Sequence, residues 1–260
     1  MNTNLTKKID VHGIGNAIVD LQTSITVQDI LALNLVKSTM QLVSKEEQEK
    51  IITFLNSKKI HQASGGSAAN SMIAISQLGG NASYACVVGD DKFGEFYLDE
   101  LRELGVSIDT NKVKSETTGS SVILITPDAE RTMNTHLGIS ASFSPEHIKD
   151  HEIAQAKWIY IEGYLFSTES GRDAIRKAVT LAKEYQTKIA ITFSDVFVVN
   201  CFRDALAEVV AECDLIFANK AEACAYTDST DAMEAFEKLK IESKNIALTM
   251  SEDGAHIWFD

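Results

Sequence analysis

The segment Ser64–Gly80, with the sequence SGGSAANSMIAISQLGG, is the stretch that best indicates how this chain folds. Two adjacent glycines, Gly65 and Gly66, precede a run of small residues that leads into an apolar helical pattern. Gly79 and Gly80 end that pattern, since glycine readily adopts the left-handed conformation found at many helix ends. The segment predicts a tight loop that opens a helix, where a ligand can approach the backbone and meet free N–H groups. A loop that only allows close helix packing is the alternative interpretation.

Outside this segment, mostly apolar strands alternate with amphipathic helices along the 260 residues. Such alternation predicts an α/β fold with a mostly parallel central sheet that helices cover on both faces. Two stretches interrupt it: residues 21–43 are irregular, and residues 109–137 hold extended pieces without a strong helix. These two stretches are expected to pair as a small separate sheet. Between them, Ser44 with Glu47 fits a capping box and predicts the start of a helix.

The composition limits the classes of partner. The formal net charge is −13, so we expect neither duplex nucleic acid nor an anionic membrane surface as a partner. The N-terminus lacks the apolar core of a signal peptide, and no apolar run approaches membrane-spanning length. The four cysteines form no C-x-x-C pair, which predicts reduced thiols rather than a zinc site or disulfides. We therefore expect a cytoplasmic enzyme or binding protein.

Common nucleotide-binding motifs are absent from the sequence. No lysine follows either glycine pair as a Walker-type phosphate loop requires. The pair Gly13 and Gly15 lacks the third glycine of a dinucleotide fingerprint, because Ile18 stands at that position. Neither a kinase H-R-D loop nor a G-x-S-x-G elbow occurs. A phosphate ligand would therefore have to be bound by other N–H groups, cationic side chains or a metal ion.

Polar side chains follow the ends of several predicted strands. Asn16 and Asp20 follow the first strand, Asn70 lies in the glycine-led loop, and Glu162 ends the strand that begins at Trp158. Because the carboxyl ends of parallel strands share one edge of a sheet, we expect these groups along one rim. Short carboxylate and amide side chains suit a ligand with several hydroxyls. The later strands add three members to this rim: Asp195, Asn219 and Glu222.

Each of these residues also has a structural interpretation that the sequence leaves open. Asn219 and Glu222 fit a capping box, and Asp195 fits a helix cap. Glu162 fits a solvated carboxylate or the partner of a nearby cation, and Asp20 fits a turn residue. Structural or surface roles are favoured for three further polar residues: His12, His136 and Arg131.

The order of several motifs resembles that of the ribokinase-like (PfkB) carbohydrate and nucleoside kinases. GGSAANSMIAISQLGG followed by VVGDDKFGE is similar to the first signature of that family, and GIGN with Asp20 is similar to its substrate-binding start. TPDAERTMNTHLG, EGYLF, NKAEA and TMSEDGA then follow in order, and GNAIVD and SDVF lean toward the adenosine-kinase-like branch. The resemblance covers residues 1–260 and implies an α/β core with a β lid formed by residues 21–43 and 109–137.

The resemblance implies an enzyme that transfers the γ-phosphate of ATP to a primary hydroxyl of a sugar or nucleoside. Adenosine or a ribose-type compound is the favoured small-molecule substrate. The lid, with its exposed strand edges, is also a candidate surface for a homodimer. The predicted substrate-binding set is Asn16, Asp20, Gly66, Ser67, Asn70 and Glu162.

The phosphate side is also predicted by resemblance. The expected cofactors are ATP and Mg²⁺, since a divalent cation would offset triphosphate charge in an acidic protein. Within the predicted ATP-side set, Glu222 is expected to hold the metal through water. That set is Asn219, Glu222, Thr249 and Gly254.

One feature of the family is not found in this sequence. The second signature, G-A-G-D, which supplies a catalytic aspartate and a helix N-terminus, does not occur before Asp260. Ser251 also stands where many members carry glycine. We therefore assign no catalytic base, and two interpretations stay open. The chain is either a truncated piece of a kinase or a protein that binds a sugar or nucleoside without catalysing a reaction.

Overall fold

The structure is a computed structural model that describes residues 7–110 and 112–259. Three parts of the sequence-based predictions lie outside the described residues: Met1–Thr6 at the N-terminus, Asn111 in the second lid stretch, and Asp260. In the described part of the chain, none of the helices has both the length and the apolar character that crossing a bilayer requires.

Strands alternate with helices through most of the chain, as the sequence pattern predicted, and they form two main sheets. In chain order the strands are β1 (Ile9–Ile14), β2 (Ile18–Ser24), β3 (Met40–Leu42), β4 (His61–Gly65), β5 (Ala82–Ala85), β6 (Val88–Gly89), β7 (Ser107–Ile108), β8 (Lys112–Val113), β9 (Gly119–Ile125), β10 (Arg131–His136), β11 (Ala156–Glu162), β12 (Lys188–Thr192), β13 (Leu215–Asn219), β14 (Asn245–Thr249) and β15 (Ala255–Phe259).

Several helices begin at the capping residues that the sequence supplies. The Ser44 hydroxyl accepts from the N–H of Glu47 (3.2 Å), and the Glu47 carboxylate accepts from the N–H of Ser44 (2.8 Å), as predicted. A second capping box, between Thr26 and Asp29, begins a short helix in the stretch predicted to be irregular. The helices are α1 (Val27–Ala32), α2 (Lys45–Phe54), α3 (Ser67–Gln77), α4 (Lys92–Glu103), α5 (Asp150–Gln155), α6 (Glu169–Glu184), α7 (Val196–Val210), α8 (Lys220–Thr227) and α9 (Ala232–Glu242), with 3₁₀ helices at Gly138–Ser142, Pro145–His147, Gly163–Ser167 and Ser251–Asp253.

The central sheet has the order β15-β14-β13-β12-β11-β1-β5-β7. It is parallel except at its edge, where β15 pairs antiparallel with β14. From β1 the chain builds toward β5 and β7, whereas β11 and the later strands are added on the other side of β1. The pair β1–β11 is therefore a topological switch point, where α/β proteins bind ligands beyond the carboxyl ends of the strands. This mostly parallel sheet confirms the predicted fold class.

Helices lie on both faces of the central sheet, as predicted, but they cover the two faces unequally. The helices α6 to α9 pack on one face and bury residues such as Ile161 and Leu248. On the other face, α3 packs against β1 and β5. Beside α3, the half-buried side chains of Trp158, Leu215 and Phe217 line an open groove. Apolar patterning could not predict this groove, because a strand has the same apolar sequence pattern whether its second face is covered or open.

The second sheet, which we call the small sheet, has the order β3-β10-β9-β2-β4. Four of its strands come from the chain around the two stretches that interrupt the alternation, and β4 comes from the segment before α3. Val19 and Val122 on one face join the core formed with α1 to α4. Because side chains alternate between the faces of a strand, their neighbours Asp20 and Ile123 face the opposite way, into a cleft.

Gln48 of α2 connects that helix to the small sheet through buried hydrogen bonds. Its Nε2 donates to the carbonyls of Ser120 (2.9 Å) and Asn134 (3.1 Å), and its Oε1 accepts from the Ser120 hydroxyl (2.8 Å). Gln48→Ala leaves these groups without their partner, so urea unfolding should show a loss of about 1–3 kcal/mol. The exposed Glu49→Ala on the same helix should change stability by less than about 0.5 kcal/mol. Equal stability of the two variants would contradict this role of Gln48.

Candidate functional site

A cleft lies at the carboxyl ends of β1 and β11 and is bounded on its other side by the small sheet. It therefore occupies the topological switch point, where the fold predicts a ligand site. The structure brings the whole predicted substrate set to this cleft, and binding by these residues stays a prediction. The lining residues from that set are Asn16, Asp20, Gly66, Ser67, Asn70 and Glu162.

Steric constraints explain why both positions ahead of α3 hold glycine. Gly66 has a φ of +98°, in the region that favours glycine, and a Cβ there would lie 2.6 Å from the Asn16 carbonyl oxygen. A Cβ on Gly65 would overlap the carboxylate of Asp20. Glycine at these positions therefore lets the loop after β1 and the strand β2 pack closely against the start of α3.

Glu162, at the end of β11, is 1% exposed, and its carboxylate connects three chain segments. Its Oε2 accepts from the backbone N–H (2.7 Å) and the side-chain Nδ2 (3.0 Å) of Asn16. Its Oε1 accepts from the N–H (2.9 Å) and hydroxyl (2.6 Å) of Ser67 and from the N–H of Ala68 (3.3 Å). The end of β11, the loop after β1 and the start of α3 are thus joined through one buried anion.

These bonds correct two sequence-based interpretations. The N–H groups of Ser67 and Ala68 are not free for a ligand, because they donate to Glu162, and the positive end of the helix dipole stabilises that anion. Glu162 is neither solvated nor paired with a cation, the two alternatives that the sequence left open. A carboxylate has about four acceptor sites. A substrate hydroxyl would therefore have to displace a protein donor in order to bind Glu162 directly.

Two buried tyrosines hold the backbone of the same two loops. The hydroxyl of Tyr84 donates to the Asn16 carbonyl (2.9 Å), and that of Tyr97 donates to the Gly65 carbonyl (3.1 Å). Burial raises the pKa of both hydroxyls well above the ordinary value, so both stay protonated donors. Sequence reasoning did not identify either tyrosine, because their positions on β5 and α4 indicate only a place in the core.

Asp20 and Arg131 bring charge into the cleft from the small sheet. Burial raises the pKa of Asp20 to about 6, and the positive charge of Arg131 limits that increase. The sequence favoured a surface role for Arg131, but β10 places it among the residues that line the cleft. Both side chains can therefore act on a polar ligand in this cleft.

The predicted ATP-side residues lie apart from this cleft, at the carboxyl ends of β13 and β14. Asn219 and Glu222 form the capping box of α8, as the structural interpretation proposed, and Thr249 is paired with Asn219 across the strands. Gly254, with a φ of +86°, lies in the turn between β14 and β15, and no atom lies within 4 Å of where its Cβ would be. These four residues form a second polar group on the same sheet edge, and their role stays a prediction.

Glu222, which the sequence predicts to hold a metal ion through water, is a buried carboxylate at the start of α8. Burial raises the pKa of its carboxyl, and the negative charge of Asp195 adds to this effect. Oxygen ligands of this kind suit Mg²⁺. Both carboxylate oxygens already accept from Asn219, at 2.8 Å from Nδ2 and 2.9 Å from the backbone N–H. Metal binding by Glu222 stays a prediction.

The two histidines considered in the sequence have structural environments. His12 is buried in β1 with its Nδ1 2.7 Å from the Ser83 hydroxyl, and burial lowers its pKa to about 4. His136 has its Nδ1 3.4 Å from the Val43 carbonyl. Neither histidine belongs to the residues that line the cleft.

Comparison with known proteins gives the same fold and identifies the family. Residues 33–258 match the pfkB family carbohydrate kinase domain. The crystal structure of adenosine kinase from Sinorhizobium meliloti is 35% identical in sequence and superposes with a TM-score of 0.92. The superposition covers 97% of this chain and 77% of the Sinorhizobium meliloti chain. A probable sugar kinase protein from Rhizobium etli is 32% identical over 98% of this chain and 77% of its own, with a TM-score of 0.93. The chain belongs to the pfkB carbohydrate kinase family, as the sequence motifs predicted.

A curated relative is also similar along most of the chain. Adenosine kinase of Saccharomyces cerevisiae is 31% identical over 224 residues, which make up 83% of this chain and 65% of the yeast protein. The chain thus spans just under two thirds of the length of that relative.

The raised pKa of Asp20 predicts a stability change that depends on pH. In an unfolded chain this carboxyl titrates near pH 4, so its favourable contribution to folding is present below about pH 4 and lost as the pH rises through about 6. Asparagine resembles the protonated form. Asp20→Asn should therefore raise the free energy of unfolding by about 1–3 kcal/mol above pH 7 and leave it unchanged near pH 4. Denaturant titrations at both pH values measure this, with the exposed Asp99→Asn as control. An equal effect at both pH values would contradict the buried environment of Asp20.

Proposed function

We propose that the protein uses ATP to phosphorylate the primary hydroxyl of a nucleoside, with adenosine favoured and ribose-type sugars as the wider substrate class. The observation that carries this proposal is the composition of the cleft. Polar groups that suit sugar hydroxyls lie along the strand ends, and an apolar surface of the small sheet faces them.

The polar side of the cleft suits a ribose ring. Asp20 accepts hydrogen bonds from hydroxyls when it is ionised, and Asn16 and Asn70 bring amide groups to the same cleft. Gly66 brings the backbone at the start of α3 to the same cleft. Vicinal hydroxyls meet such short, fixed side chains in defined geometry, which favours a sugar over a flexible alcohol.

The opposite side of the cleft is apolar and therefore suits contact with a purine base. The small sheet and the residue after β10 present aliphatic and thioether side chains, which bind the face of an aromatic ring well. A free pentose would leave this apolar surface unused, so we favour a nucleoside as the substrate. The apolar residues are Ile18, Met40, Leu42, Ile123, Met133 and Leu137.

We place ATP next to the second polar group, near Asn219, Thr249 and Gly254. Bound there with Mg²⁺, which Glu222 would hold through water, the nucleotide would supply the phosphoryl group, and the metal would offset its charge. The formal net charge of −13 supports the need for a cation. A cytoplasmic location is part of the proposal, and the four free cysteines fit it.

A homodimer is also part of the proposal. The strand β3 forms one edge of the small sheet and is only three residues long, and its Leu42 is 46% exposed. An exposed strand edge of this kind can pair with the same edge of a second copy. A dimer in sedimentation analysis would support this proposal, whereas a monomer at all concentrations would exclude it.

Transfer of phosphate from ATP to adenosine, ribose and fructose, catalysed by the complete gene product, tests the proposed reaction. We expect adenosine to give the highest kcat/KM. Asp20→Ala should lower that value about 10–100-fold, because a hydrogen bond to a charged group is lost, and Asp99→Asn should leave it unchanged. Binding of adenosine without transfer would support the non-catalytic alternative. The absence of both binding and transfer for all three compounds would contradict the proposal.

A further inference from the structure

A cluster of polar side chains lies where α5 packs against the central sheet, and its members are not among the residues that line the cleft. It consists of Asp109, directly after β7, and of His151 and Glu152 on α5. One nitrogen or oxygen atom from each of the three lies within 4.8 Å of the corresponding atoms of the other two. Groups this close on a surface are common, so the significance of the cluster depends on the residue beneath it.

The residue beneath the cluster is His12 of β1, which is fully buried. Val11 lines the groove beside α3, so alternation along the strand turns His12 to the opposite face, toward α5. The His12 Nε2 atom lies 3.8 Å from Oε2 of Glu152, which is too far for a hydrogen bond. Within residues 7–110 and 112–259, this nitrogen has no hydrogen-bond partner. A buried polar atom without a partner costs free energy, and an ion bound beside Glu152 would recover it.

The other ring nitrogen of His12 has the kind of partner that orients a metal-binding histidine. Ser83 lies opposite His12 in the register of β1 and β5, and its hydroxyl is 2.7 Å from Nδ1. A serine hydroxyl can accept from Nδ1–H, and the tautomer that donates there directs the lone pair of Nε2 toward Glu152. Histidines that bind metals are usually fixed in this way, through a hydrogen bond from their second nitrogen. The ring is therefore already oriented as a ligand.

The cluster and His12 together supply two imidazoles and two carboxylates, a donor set that suits Zn²⁺. In a tetrahedral zinc site with ligand distances of about 2.0–2.2 Å, the ligand atoms lie about 3.3–3.6 Å from one another. The 3.8 Å between His12 and Glu152 is close to this spacing. Asp109 and His151 are exposed, so their side chains can close the remaining distance. Imidazole nitrogens disfavour the hard cations Mg²⁺ and Ca²⁺, which prefer oxygen.

A side-chain cation already meets one member of the cluster. Lys149, the residue before α5, has its ammonium 2.5 Å from the Asp109 carboxylate. A bound metal ion would have to replace this contact, because both cations use the same carboxylate. Lys149 is therefore a competitor of the metal, and its removal is expected to strengthen metal binding.

We propose that His12, Asp109, His151 and Glu152 bind one Zn²⁺ ion per chain. Three of these groups would hold the ion from the surface, and His12 would close the site from the core through Nε2. The ion would join β1, the residue after β7 and α5. A closed set of four protein ligands is typical of structural zinc sites. The site is separate from the cleft, so this inference does not depend on the proposed function.

The first test is a calorimetric titration of the native protein with Zn²⁺ after metals have been removed with EDTA. We expect one ion per chain, bound with a micromolar or lower Kd, and a higher temperature of unfolding with Zn²⁺ present. Mg²⁺ should bind at least about 100-fold more weakly, because the site contains two nitrogen ligands. No binding at about 100 µM Zn²⁺ would overturn the proposal.

The second test uses substitutions on α5. His151→Ala and Glu152→Gln should each weaken zinc binding about tenfold or more, because each removes a ligand. The matched control is Asp150→Asn, at the exposed carboxylate beside His151, and it should leave the affinity unchanged. Unfolding curves show whether Glu152→Gln is folded, and His151→Ala, at an exposed position, decides the question if it is not. Native affinity in His151→Ala would overturn the proposal.

Two further measurements locate the ion. Lys149→Gln should strengthen zinc binding several-fold, because Asp109 loses its competing cation, whereas Asp109→Asn should weaken it. An unchanged affinity in both variants would exclude Asp109 from the site. Co²⁺ in place of Zn²⁺ should give the strong visible absorption of four-coordinate cobalt without a thiolate charge-transfer band. Such a band would place the metal on a cysteine, such as the exposed Cys201, and would overturn the proposal.

Discussion

A buried carboxylate with a complete set of donors is the constraint on which the cleft depends. A charge as deeply buried as that of Glu162 is tolerated only when hydrogen bonds replace the water it has lost. Here those bonds come from the loop after β1 and from the start of α3, whose dipole favours an anion. The bonds that stabilise Glu162 therefore also fix the two loops relative to β11. Because these segments meet at the switch point, the shape of the cleft follows from this requirement.

Much of the fold could be predicted because local physical signals and tertiary structure agree. The alternation of strands and helices in the sequence predicted the mostly parallel sheet, and the capping box of Ser44 and Glu47 predicted the start of α2. The helix α1 was missed because it is only six residues long, although the capping pattern of Thr26 and Asp29 was visible in the sequence. The open groove beside Trp158 was missed because apolar periodicity does not show which face of a strand is covered.

The site was predictable where it depends on strand ends and less so where it depends on three-dimensional pairing. Asn16 and Glu162 were found because residues that follow parallel strands lie at one edge of the sheet, whereas Asp20 reaches the cleft from β2 of the small sheet. Ile123 was not identified and Arg131 was assigned a surface role, since alternation along a strand gives two faces without showing which one meets the cleft. The bonds of Glu162 could not be predicted either. They join residues 95 and 146 positions apart, and their geometry depends on the packed loops.

A crystal structure of the protein with adenosine bound would show directly whether Glu162 holds the two loops of the cleft in place. We expect ribose hydroxyls that donate to Asn16 Oδ1 or to Asp20, with the purine against Ile123 and Met133. We also expect Glu162 to keep its hydrogen bonds to Asn16 and Ser67 in the complex. A ribose hydroxyl bonded to Glu162 in place of those protein donors would contradict the central claim, as would a nucleoside that leaves the cleft empty.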